Sequence, residues 1–455
     1  MLACSLQFSY RADRVRTAAT SQNAPRKHSS QSRAIFSRRS VPWRVRIERC
    51  IAAGRRVEHA QRYWMNRPVT WPLASGADNE RRIHLGADVK KQLGACVLLA
   101  ASTAASAQSS VTLYGRVDGG IEYLNHIANG TGGSSSRWSA EGGDWGTSMF
   151  GLKGTEDLGG GTHALFDLET ALQIMNGTTG GGRLFSRRAY VGLKNETWGQ
   201  LQAGRNLVID SDGVWEFDPF VQQAVSSASL VRGRNWQQTS NNVEYHSPVW
   251  HGFDVQGQYA FGNQPGAWNS GAPGEFGRSD GMMLSYHSSL FDVRGIYDEL
   301  RDQNGRLSNI FTASREYFVG GNLRVEKFKI QAAYTHYAAP DSPVGVADSA
   351  DHYWLGATYQ ATPRWAVTAA GFYIHVGEGS GDAAHDPSSH AMLYALGTTC
   401  NLSARTFLYG TVAYVNNSKN GTFSVFATPR DSSSPTSPMA GESQTGAYIG
   451  MMHVF

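Results

Sequence analysis

The chain has 455 residues, 41% hydrophobic, 17% charged and 11% aromatic, with 51 Gly against 15 Pro and a mean hydropathy of −0.37, which excludes a disordered polypeptide and a bundle of membrane helices. The net charge of +4 hides two regions: residues 1–88 carry 17 Lys+Arg and 6 Asp+Glu, net +11, whereas residues 108–455 carry 22 and 31, net −9. Only the first segment is basic, so no nucleic-acid partner is expected for the body.

Residues 1–88 hold scattered Arg, isolated Trp43, Trp64 and Trp71, and no apolar periodicity that could bury a core. Lys90-Lys91, the apolar run Leu93 to Ala104 and the small-residue triplet Ala105-Ser106-Ala107 then follow in the order of an export signal, with cleavage expected before Gln108. The expected organisation is a basic extension over 1–88, either untranslated because Val89 is the initiator or disordered, then a signal peptide over 89–107 and one domain over 108–455. A genuine basic leader is the alternative. Cys4, Cys50 and Cys96 lie ahead of the expected cleavage point, which leaves Cys400 alone and excludes an internal disulfide or a thiolate metal cluster.

From Val111 the apolar period is two. Val111, Leu113, Val117 and Ile121 share one face, and Thr112, Tyr114, Arg116 and Asp118 share the other. The same alternation predicts strands near 111–121, 147–154, 162–174, 186–195, 198–205, 240–247, 253–261, 281–287, 290–297, 315–325, 328–337, 351–361, 364–375, 390–401, 404–416 and 443–455. Their connections alternate strictly. Short ones such as Glu196-Thr197, Ser288-Ser289, Glu326-Lys327 and Thr362-Pro363 are followed by long ones rich in Gly, Ser, Asn and Asp. Tight turns at one end and long loops at the other, with an even number of strands, predict an all-β, 16-stranded antiparallel transmembrane β-barrel. In hydrocarbon a sheet must close to lose its edges, and closure at this size leaves an aqueous lumen. Tyr334, Tyr337, Tyr353, Trp354, Tyr359, Trp365, Phe372 and Tyr373 fall near strand ends and are expected in interface girdles.

The motifs Ser110 to Gly115 (SVTLYG), Gly151 to Gly161 (GLKGTEDLGGG), Arg188 to Leu193 (RAYVGL), Gly204-Arg205, Asn241 to Pro248 (NNVEYHSP), Leu402 to Gly410 (LSARTFLYG) and terminal Phe455 resemble, in that order, the general diffusion porins of Gram-negative bacteria, those of beta-proteobacteria most. The resemblance implies an outer-membrane homotrimer, embedded in lipid and lipopolysaccharide, that passes small hydrophilic solutes and ions through a third loop folded inward. It implies no cofactor and no metal. Here that loop is Asn206 to Thr239, with Asp210, Asp212, Glu216 and Asp218.

By the same resemblance, Asp212, Glu216 and Asp218 face Arg116 and Arg187 across the constriction, and either Arg232 or Arg234 supplies a third basic group. Alternation leaves both faces open to Arg188, which is read as an interfacial arginine. Met149 stands where the family commonly has a pore-lining arginine, and Thr239-Ser240 where it often has a basic residue; both departures remove positive charge. Phe455 is expected to be the last-strand signal for the outer-membrane assembly machinery. The alternatives are a substrate-specific sugar or anion channel and a barrel hydrolase. For the hydrolase, the sequence has no HExxH, CxxC or P-loop pattern, and its histidines are isolated strand residues.

Overall fold

Alternating side chains demand a sheet with two unlike faces, and the chain builds one sheet that has no free edge. The computed structural model describes residues 110–262, 279–377, 388–427 and 436–455; the expected extension and signal peptide lie outside the described residues. The wall strands are β1 Ser110–Ala128, β2 Met149–Gly159, β3 Thr162–Gln173, β4 Arg188–Asn195, β5 Gly199–Leu207, β6 Gln238–His246, β7 Phe253–Ala260 and β8 Ser279–His287. They continue with β9 Phe291–Leu300, β10 Arg315–Val325, β11 Phe328–Ala338, β12 Ser349–Gln360, β13 Trp365–Val376, β14 His390–Asn401, β15 Thr406–Asn417 and β16 Gln444–Val454.

Each wall strand pairs antiparallel with the next, and β1 pairs with β16 from Arg116↔Val454 to Leu124↔Gly446, which closes sixteen strands into a barrel. Among the described residues, two further short strands lie in loops, outside the alternation that marks the wall. Ser134–Glu141 folds back on the upper half of β1, and Thr178–Thr179 pairs with the end of β3.

The faces separate as the period-two pattern requires. Val111, Leu113 and Ile121 are 66%, 58% and 53% exposed, while Asp118 between them is fully buried. Around the wall the same parity exposes Val191, Leu284, Val319, Leu355, Leu396 and Ile449. An apolar exterior and a polar lumen are the reverse of a soluble protein and match a barrel in lipid. No described helix is long and apolar enough to cross a membrane.

Closure is sealed by the chain's last residue. Gly115 N donates to Phe455 O at 3.1 Å, and Phe455 N donates to Gly115 O at 3.0 Å. A Cβ on Gly115 would stand 2.6 Å from the Phe455 ring, so only glycine admits the ring there. Deleting Phe455 is therefore expected to lower the amount of assembled barrel strongly without affecting export. Unchanged levels of the folded, heat-modifiable form in membrane fractions would contradict this.

Candidate pore constriction

The connection between β5 and β6, called L3 below, is built to lie against a wall. It contains two short helices, α1 Ile209–Gly213 and α2 Ser227–Leu230, the latter opened by a capping box between Ser226 and Ser229. Ile209, Val214, Phe217, Phe220, Leu230 and Val231 are all 2% exposed or less. They pack into hollows left by glycines on the inward parity of alternate strands. A Cβ on Gly281, Gly320, Gly356 or Gly397 would stand 2.2 to 3.1 Å from atoms of Ile209, Phe217, Pro219 and Phe220 respectively. Polar groups complete the seating. Trp354 Nε1 donates to Phe217 O at 2.9 Å, Gln331 Nε2 donates to Glu216 O and Asp218 O at 2.9 and 3.0 Å, and Tyr448 Oη donates to Gln223 at 2.8 Å. Residues 423–427 of the β15–β16 loop join this packing: Ser229 Oγ donates to Val425 O at 2.9 Å, and Ala427 N to Ala224 O at 2.7 Å.

One fully buried charge cluster also ties L3 to the wall. Arg234 lies 2.7 Å from Asp298, 3.6 Å from Asp210 and 3.7 Å from Glu316, and none of the four is more than 1% exposed by its side chain. Three carboxylates around one guanidinium cannot all be ionised in a dry site. Burial, with Glu316 beside it, pushes the Asp210 carboxyl well above the usual carboxylate range. Burial opposes the Arg234 charge, but the facing carboxylates outweigh it and hold the guanidinium ionised.

Across the lumen, β1 to β4 present charged groups of both signs. Arg116 Nε donates to Thr147 O at 2.8 Å. Arg187 Nε meets Glu169 at 2.7 Å, and Arg188 reaches across to Asp212 of L3 at 3.0 Å. Tyr114 Oη donates to Asp167 at 2.6 Å and to Glu169 at 3.1 Å, with Lys153 Nζ 4.9 Å from its ring centroid. Met149 stands directly opposite Arg116 on the neighbouring strand. On the other flank of L3, Glu216 pairs with Arg294 of β9 at 2.8 Å. Asp144, in the loop after β1, is 4% exposed; burial, then Glu122, Asp118 and Glu141, push its carboxyl up to about 8.

Several placements differ from the sequence reading. Asp218 is fully buried, and its carboxylate accepts from Phe220 N at 2.7 Å and Ser227 N at 2.8 Å, so it shapes L3 from within and does not line the lumen. Burial pushes it up to about 6 against those hydrogen bonds. Neither candidate for the third basic group stands free: Arg234 is locked in the buried cluster, and Arg232 donates to Ser437 at 3.3 Å. Arg188 points inward, because Val191 and Leu193 take the outward parity of β4. Of the aromatic residues expected in girdles, Tyr353, Tyr359, Trp365 and Tyr373 are exposed outward, but Tyr337, Trp354 and Phe372 are at most 4% exposed and turn inward. Their even or odd position on each strand, counted from the exposed apolar residues, is the signal in the sequence that separates the two groups.

A profile of the Gram-negative porin family matches residues 94–420. Outer membrane porin protein 32 of Delftia acidovorans is 31% identical over 379 residues, which cover 81% of this chain and 100% of that protein. An outer membrane porin protein of Bordetella pertussis is 30% identical over 368 residues, covering 72% of this chain and 95% of that one. Among solved structures, an anion-selective porin from Comamonas acidovorans superposes with a TM-score of 0.63 at 26% identity, over 76% of this chain and 100% of that chain.

Two outcomes follow from the buried charges. Arg234→Met leaves Asp298 and its neighbours without a cation, which costs about 3–5 kcal/mol; the denaturation midpoint of the detergent-folded protein should fall, and protease should cut newly within 208–236. Asp144 is raised when folded, so its contribution to stability is full below the unfolded carboxylate value near 3.8 and is lost as pH rises through about 8. Asp144→Asn should therefore leave the unfolding temperature nearly unchanged at pH 3.5 and raise it by several degrees at pH 9. Equal effects at both values would sink this assignment.

Proposed function

The chain belongs to the Gram-negative porin family and is a porin of the outer membrane, and from that premise we propose that it forms a weakly selective diffusion channel for small hydrophilic solutes and ions. The channel runs between L3, seated against β8 to β16, and the charged wall of β1 to β4. Arg116, Arg187 and Arg188 on the wall, with Asp212 and Glu216 on L3, form the constriction; Asp218 is left out of it because it is buried.

The observation that carries this reading is charge pairing. Arg187 is neutralised by Glu169, Arg188 by Asp212 and Arg294 by Glu216 at 2.7 to 3.0 Å. Paired charges leave a transverse field that orders water but little net charge to exclude either ion. Met149 adds no positive charge beside Arg116, and the 108–455 segment is net −9. Both support a channel that is nearly unselective or weakly cation-selective, unlike the anion-selective Comamonas porin.

The exported chain is proposed to begin at Gln108 after removal of 89–107, and to assemble as a homotrimer. The exposed outward residues at the middle of β1, β4, β5 and β16, among them Leu113, Ile121, Val191, Leu201 and Ile449, are aliphatic, whereas Tyr245, Tyr259, Tyr317, Tyr353, Trp365 and Tyr394 ring the remaining flank. The aliphatic flank suits contact between protomers and the ringed flank suits the lipid interface. The named relatives are channels, which favours this reading over a barrel hydrolase.

Planar-bilayer recording under a salt gradient tests the constriction. Met149→Arg should move the zero-current potential toward anions. Arg187→Gln, which leaves Glu169 unpaired, should move it toward cations. Both shifts should grow at low salt, where screening is weaker. If neither substitution moves the potential while the oligomer stays intact, these residues do not line the constriction.

A further inference from the structure

On the outward face of β10 to β14, five residues face one another strand by strand at a single level. Tyr317 is opposite His336, His336 opposite Asp351, Asp351 opposite His375, and His375 opposite His390. Their parity is that of the exposed Phe328, Leu355, Val367 and Leu396, whereas Ile374 and Leu393, on the other parity, are fully buried. The row sits at the long-loop end of these strands, just beyond a belt in which Tyr334 and Tyr353 stack at 4.8 Å and Tyr353 and Tyr373 lie 6.4 Å apart. None of it belongs to the lumen, and the channel reading makes no use of it.

The backbone brings the side chains together in couples. Val376 N donates to Ser389 O at 2.8 Å, and the N–H and C=O of His390 both turn to Ser418, at 2.9 Å. His375 and His390 are thus a non-hydrogen-bonded cross-strand pair, the kind whose side chains approach most closely. Beside them, Asp351 Oδ1 accepts from Tyr334 Oη at 2.7 Å and lies 2.9 Å from His336 Nδ1, so its carboxylate is held from two sides.

Adjacent imidazoles with an oriented carboxylate are a donor set for borderline divalent ions such as Zn²⁺, Ni²⁺ or Cu²⁺, not for the oxygen-seeking Ca²⁺ or Mg²⁺. We propose that His375, His390 and Asp351 form a transition-metal site on the outer rim of the barrel, with His336 and Tyr334 as positioning residues for the carboxylate. No three groups of the row converge on one point as they stand; ligation requires the exposed imidazoles to turn to another rotamer, a change open to surface side chains within nanoseconds. The row lies on the ringed flank, away from the aliphatic flank proposed for protomer contact, so the site stays accessible in the assembled protein.

Zn²⁺ titrated calorimetrically into the detergent-solubilised assembled porin at neutral pH should bind once per chain. His375→Ala and His390→Ala should each weaken binding at least about tenfold, the double variant at least about a hundredfold, and Asp351→Asn about tenfold. His251→Ala, in the short turn at the opposite end, should change nothing. With Cu²⁺ as probe, electron paramagnetic resonance should show coupling to two imidazole nitrogens, lost in the double variant. These side chains are on the surface, and heat-dissociable oligomer on a gel confirms that each variant is assembled. The proposal is overturned by the absence of saturable uptake, by unchanged affinity in the double variant, or by a row that takes up inorganic phosphate and no metal.

Discussion

Everything in this molecule depends on the pairing of β1 with β16. A sheet in hydrocarbon cannot leave a row of unpaired amides, so the last strand has to meet the first, and the Phe455 ring over Gly115 fixes the register at which they meet. Once that register is set, period-two alternation assigns every side chain to lipid or lumen with no further freedom. The exposed band of Val, Leu and Ile and the buried band of Asp, Glu, Gln and Arg are consequences of one closure. A slip of a single residue would put Arg116, Arg188 and Arg294 into lipid, at about 2 to 4 kcal/mol each near mid-depth.

The lumen so defined is not uniformly open. Its wall from β8 to β16 carries apolar residues such as Phe318, Trp354, Phe372 and Leu393 on the inward face, and L3 covers them as a helix would cover a sheet. The glycines under Ile209, Phe217, Pro219 and Phe220 let the loop come close. Arg234 and the carboxyls of Asp210, Asp298 and Glu316 around it set where it attaches, since a charge buried away from its partners would be very costly. Seating by apolar packing makes L3 a rigid partition, and its acids on the free side, Asp212 and Glu216, are held in place rather than swinging in solvent.

Much of this is readable from residue order. The sixteen wall strands, their alternation and the division into short and long connections follow from periodicity and turn chemistry, because a two-faced environment imprints itself on every second residue. The roles of single residues on L3 are less readable. Asp212 and Asp218 are both acids on one loop, and only packing tells that one meets Arg188 while the other caps its own backbone. Trp354 and Phe372 fall to the girdle when aromatic content is weighed without parity. Their inward position makes sense only once something apolar is known to lie inside, and the sequence of L3, with its scattered Val and Phe, has no period to announce that. The strand Ser134–Glu141, rich in Ser and lacking apolar alternation, is hidden for the same reason.

The remaining question is why a lumen with so many ionised groups should select weakly, as proposed. Selectivity for one ion sign requires uncompensated charge at the narrowest section, and the interaction of an ion with an isolated arginine at 4 Å is about 4 kcal/mol at an effective dielectric near 20. A carboxylate about 3 Å behind that arginine, as Glu169 stands behind Arg187, converts the monopole into a dipole, whose field falls off much faster with distance. Pairing of this kind recurs on both sides of L3. In the proposed constriction, what survives at the centre of the aperture is chiefly a direction, from the guanidinium groups of the wall toward the carboxylates of the loop, which acts on the dipoles of water and polar solutes more than on net charge. Arg116, like Arg205 of β5, donates to a neutral carbonyl and, among the described residues, stands in no ion pair, and with Met149 beside it it is, in the proposed constriction, a position where one added arginine changes how much monopole is retained.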